Sequence, residues 1–421
     1  MSGAPDQYPG TDTPLVPYVT STTHNSTVIR WYPHNVFPDN LLYANESYYL
    51  QTESYDHAVT VNKTSSSPLI FLTGLESGIR YHYALQSGRS IIVNRTFMTF
   101  PENGSCSFII YGDTREQSQY FTQTERHKIV ADRISYEPNI SFVVNTGDLV
   151  SNPDDAQEWD RFFNAGKMLF ATTTYSVVRG NHDSNLSLLE VLFGTDGMYS
   201  FDCGDAHITV IDSTDYARFS LTEQVSWLAE DLASTNKWKI VVLHHPLYTS
   251  EETHFGGFEN LQKLFEPVFI SGKVSVVFNG HVHAFERIEQ SGIMYITEGR
   301  GGAPAYRLNG TKMVGSIRSL ENSLGYSRVT INPATESLQI DVIQVADVSP
   351  DLRNVTRVFS MDTVIDRIEL KKPDQQHNHQ IISSKTLPPL SRVFSCKNGS
   401  VPSDDSLSPG HFPSCVLRLL V

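Results

Sequence analysis

The sequence predicts an N-terminal all-β sandwich followed by a larger α/β domain, in which two mixed sheets are flanked by helices. Residues 17–100 contain short alternating runs of β-branched and aromatic residues, separated by Asn, Ser, Gly and Pro turns. Past Pro101, short apolar runs alternate with segments of helical length. The 421 residues, 39% of them hydrophobic, suffice for two or three domains with large cores. They exclude a wholly disordered chain.

We divide the chain into four segments. Residues 1–16 form a polar, Pro-containing leader, 17–100 form the sandwich, 101–372 form the α/β domain, and 373–421 form a polar, weakly ordered tail. Trp31 is the expected core tryptophan of the sandwich. The sandwich is either a packing module without chemistry, which we favour, or a surface for a partner.

Seven buried strands are expected in the α/β domain, at 107–111, 141–145, 175–178, 207–211, 239–243, 274–278 and 293–297. Amphipathic helices are expected between them, at 118–136, 156–170, 221–235 and 259–271. Residues 360–370 add a final strand. Open α/β sheets place their sites at the carboxyl ends of the strands, so that is where chemistry is expected.

The net charge of −14 makes a non-specific grip on nucleic acid or on an anionic membrane surface improbable. The sequence contains no apolar run near the roughly 18 residues of a membrane span. An anionic substrate therefore has to be drawn by a local cation, such as a metal ion.

The pattern of Asn-X-Ser/Thr acceptor sites indicates a secretory route with a leader trimmed from this chain. More such tripeptides occur than chance predicts; the alternative is a Ser/Thr-rich composition alone. The ten acceptor asparagines are Asn25, Asn45, Asn62, Asn94, Asn103, Asn139, Asn185, Asn309, Asn354 and Asn398.

Four cysteines occur, and none has the C-x-x-C spacing of a thiolate zinc site or redox motif. In an oxidising compartment, Cys106 can meet Cys203, and Cys396 can meet Cys415. Four unpaired thiols are an equal alternative at this point.

Five of the expected strands end in polar clusters, which open α/β topology brings to one edge. Asp oxygen, Asn carbonyl oxygen and neutral imidazole form a donor set for Zn, Fe, Mn or similar ions. One Asp between two cations can bridge them. A Gly before several of these residues allows a sharp turn at the strand end. The clusters lie at 112–115, 147–149, 180–183, 244–246 and 280–283.

The ordered series GD, GD, GNHD, HHP and GHVHAFER resembles the calcineurin-like metallophosphoesterase superfamily. With its β-rich N-terminal module, the chain is most similar to the purple acid phosphatase branch, over residues 17–345. The resemblance implies a fibronectin III-like N-terminal domain and a dinuclear centre of Fe, Zn or Mn whose metal-bound hydroxide attacks a phosphate ester. By resemblance, the first metal is held by Asp113 and His283, Asp148 bridges, and the second metal is held by Asn181, His244 and His281.

The sequence departs from the family pattern at two positions near the first metal. Purple acid phosphatases carry a Tyr three residues after the bridging Asp, where this chain has Ser151. Many other members carry a His two residues after the first Asp, where this chain has Arg115. Either water fills the place or the first site is weaker. We expect Arg115 to clamp phosphate bidentately or to pair with a neighbouring acid.

Departure of the alcohol product needs a proton donor, and His is the natural choice. His182 and His254 are the candidates, because histidines at equivalent places contact substrate in purple acid phosphatases. The alternative for His254 is an exposed loop histidine. We expect His245 to lie near the substrate without binding metal, and Asp183 to orient His182 by accepting its other N–H.

Three functions are compatible with these observations. The first is a secreted phosphatase acting on phosphomonoesters. The second is a phosphodiesterase acting on nucleotides or lipid head groups with the same centre. The third is a surface binding or adhesion protein with a vestigial metal site.

Overall fold

Twenty strands and six α-helices make up the part of the chain that the structure, a computed structural model, describes: residues 15–33, 36–63, 68–349, 351 and 354–372. The helices are α1 (Glu46–Thr52), α2 (His127–Ser135), α3 (Ala156–Thr172), α4 (Leu186–Phe193), α5 (Leu221–Ala233) and α6 (Glu259–Gly272). The first ten strands are β1 (Val16–Thr20), β2 (Ser26–Tyr32), β3 (Asn40–Asn45), β4 (His57–Thr60), β5 (Leu69–Thr73), β6 (Arg80–Ser87), β7 (Ser90–Met98), β8 (Cys106–Tyr111), β9 (Phe142–Asn145) and β10 (Thr174–Val177). The others are β11 (Tyr199–Cys203), β12 (Ala206–Val210), β13 (Trp238–Leu243), β14 (Val276–Asn279), β15 (Phe285–Gln290), β16 (Ile293–Glu298), β17 (Ser316–Leu320), β18 (Ser323–Asn332), β19 (Ser337–Val348) and β20 (Val355–Lys371).

These strands form three sheets. The first has nine strands in the order β20-β19-β18-β8-β9-β10-β1-β2-β5, and the second has seven in the order β11-β12-β13-β14-β16-β15-β17. The third is the four-stranded sheet β4-β3-β6-β7. The parallel strands β8–β10 and β12–β14 are the buried apolar runs that the sequence predicts, which confirms the α/β class.

The nine-stranded and seven-stranded sheets pack against each other through one apolar core. Phe108 and Val144 of the first sheet belong to the same buried cluster as Ile240 and Phe278 of the second. The helices cover the outer faces: α2 and α3 pack on the first sheet, and α5 and α6 on the second. All the parallel strands therefore carry side chains buried on both faces, which explains their continuous apolar sequences.

Helices α3, α5 and α6 lie where the sequence predicts them, but α2 begins later than expected. Residues 118–126 form turns instead, in which the N–H groups of Tyr120 and Phe121 donate to the Gln117 carbonyl. The start of α5 is fixed by a capping box of Ser220 and Glu223. Helices α1 and α4 were not predicted, because each has only two turns.

The sheets of the N-terminal segment are all β, as expected, and the two-turn helix α1 lies between β3 and β4, but the strands do not form an isolated sandwich. Strand β1 pairs in parallel with β10, with Val19 opposite Thr174, so β1, β2 and β5 extend the nine-stranded sheet. Trp31 is fully buried, as predicted. The Tyr81 hydroxyl accepts a hydrogen bond from the Glu76 N–H at 2.9 Å, which fixes a corner between strands.

A disulfide joins Cys106 at the start of β8 to Cys203 at the end of β11, with 5.8 Å between their Cα atoms. This resolves one of the open pairings. The second pair, Cys396 and Cys415, lies outside the described residues, as do Asn398, the tail at 373–421 and leader residues 1–14. Among the described helices, none combines the length and apolarity needed to cross a membrane.

Candidate metal centre

The six predicted ligands converge where the parallel strands of the two sheets end. Asp113 follows β8, Asp148 follows β9, Asn181 follows β10, His244 follows β13, and His281 and His283 follow β14. Asp113, Asp148 and His281 all have left-handed backbones, with φ of 57°, 54° and 66°. Such conformations cost free energy in non-Gly residues and are concentrated at functional sites.

Two glycines make room for this convergence. Gly147 has a φ of +104°, and a Cβ there would lie 2.7 Å from the Gly180 nitrogen and from the His244 ring. A Cβ on Gly180 would in turn meet the Asp148 backbone and carboxylate. The glycines before Asp148 and Asn181 thus allow the two loops to pack closely, in addition to allowing the sharp turn at each strand end.

One half of the centre contains His244, Asn181 and His281. The His244 Nδ1 hydrogen donates to the Thr146 carbonyl at 2.9 Å, so its Nε2 carries a lone pair. That Nε2 lies 3.0 Å from Asn181 Oδ1 and 3.3 Å from His281 Nδ1. His281 Nδ1 is also 2.8 Å from Asn181 Oδ1. Three potential ligand atoms therefore face one another.

The other half contains Asp113 and His283. The His283 Nδ1 hydrogen donates to the Pro304 carbonyl at 2.5 Å, which again leaves a lone pair on Nε2. This Nε2 lies 3.3 Å from Asp113 Oδ1 and makes no hydrogen bond. An imidazole lone pair thus faces a carboxylate oxygen, a contact that is repulsive unless a metal ion or a proton lies between them.

Asp148 lies between the two halves. Its Oδ1 is 3.4 Å from His244 Nε2, and ligand atoms of Asp113, Asp148 and His244 all lie within 4.8 Å of one another. All three residues are buried. This is the position that a bridging carboxylate requires.

The electrostatics of the centre fit metal ions. Burial, together with the neighbouring Asp148, raises the pKa of the Asp113 carboxyl well above its usual range. Burial lowers the pKa of His244 well below its usual value and that of His283 to about 3, so both rings are neutral at ordinary pH. Neutral imidazoles, buried carboxylates and an amide oxygen form a mixed N/O donor set, which suits Zn, Fe or Mn.

His182 lies beside this centre. Its backbone N–H donates to Asp148 Oδ1 at 2.9 Å, and its Nδ1 hydrogen donates to the Ser151 carbonyl at 3.0 Å. The prediction that Asp183 orients this ring is wrong. Asp183 instead accepts from the backbone N–H groups of Gly180 and Asp148, and so holds the two ligand loops together.

His254 lies next to the His281 ring, with 5.0 Å between the ring centroids, and so is more than an exposed loop residue. Its Nδ1 hydrogen-bonds to the buried carboxylate of Glu251 at 2.8 Å, and its ring stacks on Phe258. Sequence reasoning missed Glu251, because the pattern of one carboxylate three residues before a His is common.

His245 is buried with its ring 4.6 Å from that of His281, and its Nδ1 pairs with the Ser213 hydroxyl at 3.0 Å.

Arg115 is largely buried at the first half of the centre, where its Nε lies 3.5 Å from Asp148 Oδ2. Ser151 cannot replace the missing Tyr, because its hydroxyl donates to the Glu116 carbonyl at 2.5 Å. A different tyrosine, Tyr306, does lie beside the first half of the centre, although no local sequence motif predicts it. The Tyr306 ring packs on His283 with 4.0 Å between the ring centroids.

Residues 107–285 match the family described as calcineurin-like phosphoesterases. This segment is therefore similar to calcineurin-like phosphoesterase domains. It contains every predicted ligand, and the match agrees with the superfamily resemblance that the sequence indicates.

The similar curated proteins include several purple acid phosphatases. Purple acid phosphatase 22 of Arabidopsis thaliana is 27% identical over 304 residues, which cover 63% of this chain and 67% of that protein. Purple acid phosphatase 21 of the same plant is 29% identical over 49% of this chain and 52% of its own length. The chain thus spans between about half and two thirds of the length of these relatives. The structure of purple acid phosphatase PPD1 from yellow lupin (Lupinus luteus) seeds covers 85% of this chain and 74% of its own, with a TM-score of 0.66 at 17% identity, which supports the fold.

Proposed function

We propose that this chain is a secreted, metal-dependent phosphatase that hydrolyses phosphate monoesters. Its centre would hold two cations, one at Asp113 and His283 and one at Asn181, His244 and His281, with Asp148 between them. The observation that carries the proposal is the pair of lone-pair contacts described above. His244 Nε2 lies 3.0 Å from Asn181 Oδ1, and His283 Nε2 lies 3.3 Å from Asp113 Oδ1. Buried acceptors are not placed against each other without a positive charge to join them.

The preference for monoesters is supported by Arg115. A phosphate monoester dianion carries one more negative charge than a diester. Arg115 adds a permanent cationic charge beside the first half of the centre, and its side chain is only 13% exposed. A site with this extra charge favours the more anionic substrate.

The protein residues divide the remaining work. When bound, the cations supply Lewis acidity for phosphate oxygens and lower the pKa of a water molecule toward neutrality. The His182 N–H donates to Asp148 Oδ1 and so helps to hold this carboxylate between the halves. Thr146 and Pro304 hold the tautomers of His244 and His283, so each ring presents an unprotonated nitrogen to the centre.

Two histidines are placed to protonate the departing alcohol. His182 and His254 each use Nδ1 for a hydrogen bond within the protein, to Ser151 and Glu251 respectively. Each therefore leaves Nε2 as the nitrogen that faces substrate, and it can donate a proton from there only when the ring is in its doubly protonated, imidazolium form. A general acid at this step matters most when the departing alkoxide is strongly basic.

Secretion is supported by the positions of the acceptor asparagines and by the disulfide. The nine acceptor asparagines within the described residues are all exposed or half-buried, and so can carry glycans. The Cys106–Cys203 bond is of a kind that persists in oxidising compartments.

The proposal is tested by metal content and turnover, measured on protein purified without chelators. We expect two metal ions per chain and rapid hydrolysis of p-nitrophenyl phosphate. His244→Ala should lose at least one ion and lower the rate by more than about 100-fold. His207→Gln, which alters a buried histidine outside the centre, is the matched control and should retain both ions.

A bis-p-nitrophenyl phosphate rate above the monoester rate would favour the phosphodiesterase instead. A wild-type protein that holds no metal and hydrolyses neither ester would contradict the enzymatic proposal and would favour the binding protein.

A further inference from the structure

Tyr306 is fixed in place against the first half of the centre. Its backbone N–H donates to the His283 carbonyl at 3.1 Å, and its ring covers that of His283 at a tilt of 31°. The preceding residues anchor the same loop to the ligand residues. The Ala303 N–H donates to the Asp113 carbonyl at 2.8 Å, and the Pro304 carbonyl accepts from the His283 ring. The position of Tyr306 is therefore set by the backbone of two ligand residues.

The Tyr306 hydroxyl also lies close to the side chain of Arg115. On its other side, the Arg115 guanidinium approaches Asp148, with 3.5 Å between Nε and Oδ2. The Nε hydrogen itself makes no hydrogen bond to the protein. Arg115 thus lies between a bridging carboxylate and a tyrosine hydroxyl, with hydrogen-bonding capacity still unused.

This arrangement distinguishes between two roles for Tyr306. A tyrosine that replaced the missing metal ligand would present its oxygen to a cation. Here the hydroxyl instead lies beside a guanidinium, whose permanent charge would repel a cation at the same oxygen. The Tyr306 hydroxyl is therefore directed to Arg115 rather than to the metal.

We propose that Arg115 and Tyr306 form an oxyanion-binding pair, in which Tyr306 positions the guanidinium and Arg115 binds oxygens of the phosphoryl group. The ligand class is a dianionic phosphate, either the monoester substrate or inorganic phosphate as product. This inference rests on the proposed function, which it deepens: it names the residues that hold the substrate beside the first half of the centre, where the usual Tyr or His metal ligand is missing. Arg115 contacts substrate, whereas Tyr306 is a positioning residue.

The planar guanidinium suits this task because its N–H groups match two phosphate oxygens at once. A long, flexible side chain loses rotamer freedom when it binds, and this cost falls if a neighbour holds it beforehand. The loop at 303–306 supplies such a support, since it is tied by backbone hydrogen bonds to Asp113 and His283.

The test is calorimetric titration of the metal-loaded protein with inorganic phosphate, together with metal analysis of each variant. Tyr306→Phe keeps the ring on His283 but removes the hydroxyl. It should weaken phosphate binding about three- to tenfold without changing metal content. Arg115→Gln should weaken it by about 10- to 100-fold. The double variant should match Arg115→Gln alone, because Tyr306 acts through Arg115. Tyr83→Phe removes a buried tyrosine hydroxyl in the N-terminal segment, and it is the matched control.

Three results would overturn the pair. Unchanged phosphate affinity in Tyr306→Phe would leave the tyrosine a packing residue, and additive losses in the double variant would show that it acts on its own. Loss of metal in Tyr306→Phe would make it a ligand. If the variants give any of these results but the wild type still binds metal and hydrolyses p-nitrophenyl phosphate, the pair is refuted and the proposed function stands. A wild type that neither binds phosphate nor turns over ester overturns both.

Discussion

The Glu251 carboxylate accepts two hydrogen bonds from His254, one from the backbone N–H and one from Nδ1 of the ring, each at 2.8 Å. One buried oxygen thus fixes both the conformation of the loop and the orientation of the His254 ring, which lies beside His281. This pair gives a means to separate proton donation from metal binding.

Glu251→Gln should lower kcat for alkyl phosphates, whose departing alkoxides are basic, by about tenfold or more, because His254 is no longer held as a proton donor. The effect on p-nitrophenyl phosphate should be much smaller, since that product departs without a proton. The measurement is the ratio of the two kcat values in wild type and variant, with His207→Gln as the control. Equal losses on both esters would rule out a donor role for His254.

The buried ion pair of Glu298 and Arg300 gives a prediction about stability. The two side chains are fully buried and joined by hydrogen bonds of 2.7 and 2.8 Å. Arg300→Met should lower the free energy of unfolding by about 3–5 kcal/mol, because it leaves the Glu298 carboxylate buried without its partner. Adding Glu298→Gln should restore part of that loss, as measured by chemical denaturation. A single variant as stable as wild type would contradict this account.

His207 makes stability depend on pH. Burial alone would lower the pKa of His207, but hydrogen bonds to Asp202 and Asp231 raise it to about 9. A raised pKa stabilises the fold fully below the unfolded value of about 6.5, and this stabilisation is lost as pH rises toward 9. Wild type should exceed His207→Gln by about 2 kcal/mol at pH 6, and the difference should shrink between pH 6.5 and 9. Denaturation at each pH measures this, and a constant difference would refute it.

The disulfide should contribute strongly to stability, because Cys106 and Cys203 are 97 residues apart in the chain. Closing so long a loop restricts the unfolded chain, and losing the bond should cost about 2–5 kcal/mol. The paired variant Cys106→Ala with Cys203→Ala should therefore melt at a lower temperature, while hydrolysis at 25 °C is retained. Identical melting curves with and without reductant would contradict this.

The convergence of the six proposed ligand residues was predictable because each lies within a few residues of the end of a buried strand. Asp113, Asp148 and Asn181 are marked by local motifs, and parallel topology brings such strand ends together. Tyr306 and Glu251 were not predictable in this way. Tyr306 reaches Arg115 only through the fold, and no spacing rule connects residues so far apart in sequence.

The same reasoning explains the differences in the fold. The alternating pattern of the first strands is satisfied by any half-buried sheet, so it does not say which strand β1 pairs with. The turns at 118–126 were assigned to a helix because their apolar spacing resembles a helical face. The role of Asp183 was misassigned because its backbone partners, Gly180 and Asp148, belong to two different loops.

The parallel pairing of β1 with β10 makes the catalytic region inseparable from the first strands of the chain. Strand β10 ends at Val177, four residues before Asn181. A protein trimmed to begin at residue 101 would leave β10 as a bare sheet edge, open to pairing with other chains and to fraying next to the proposed ligand Asn181. For protein engineering, this means that the N-terminal segment cannot be removed or replaced by another domain without exposing the edge of the sheet that carries the proposed site.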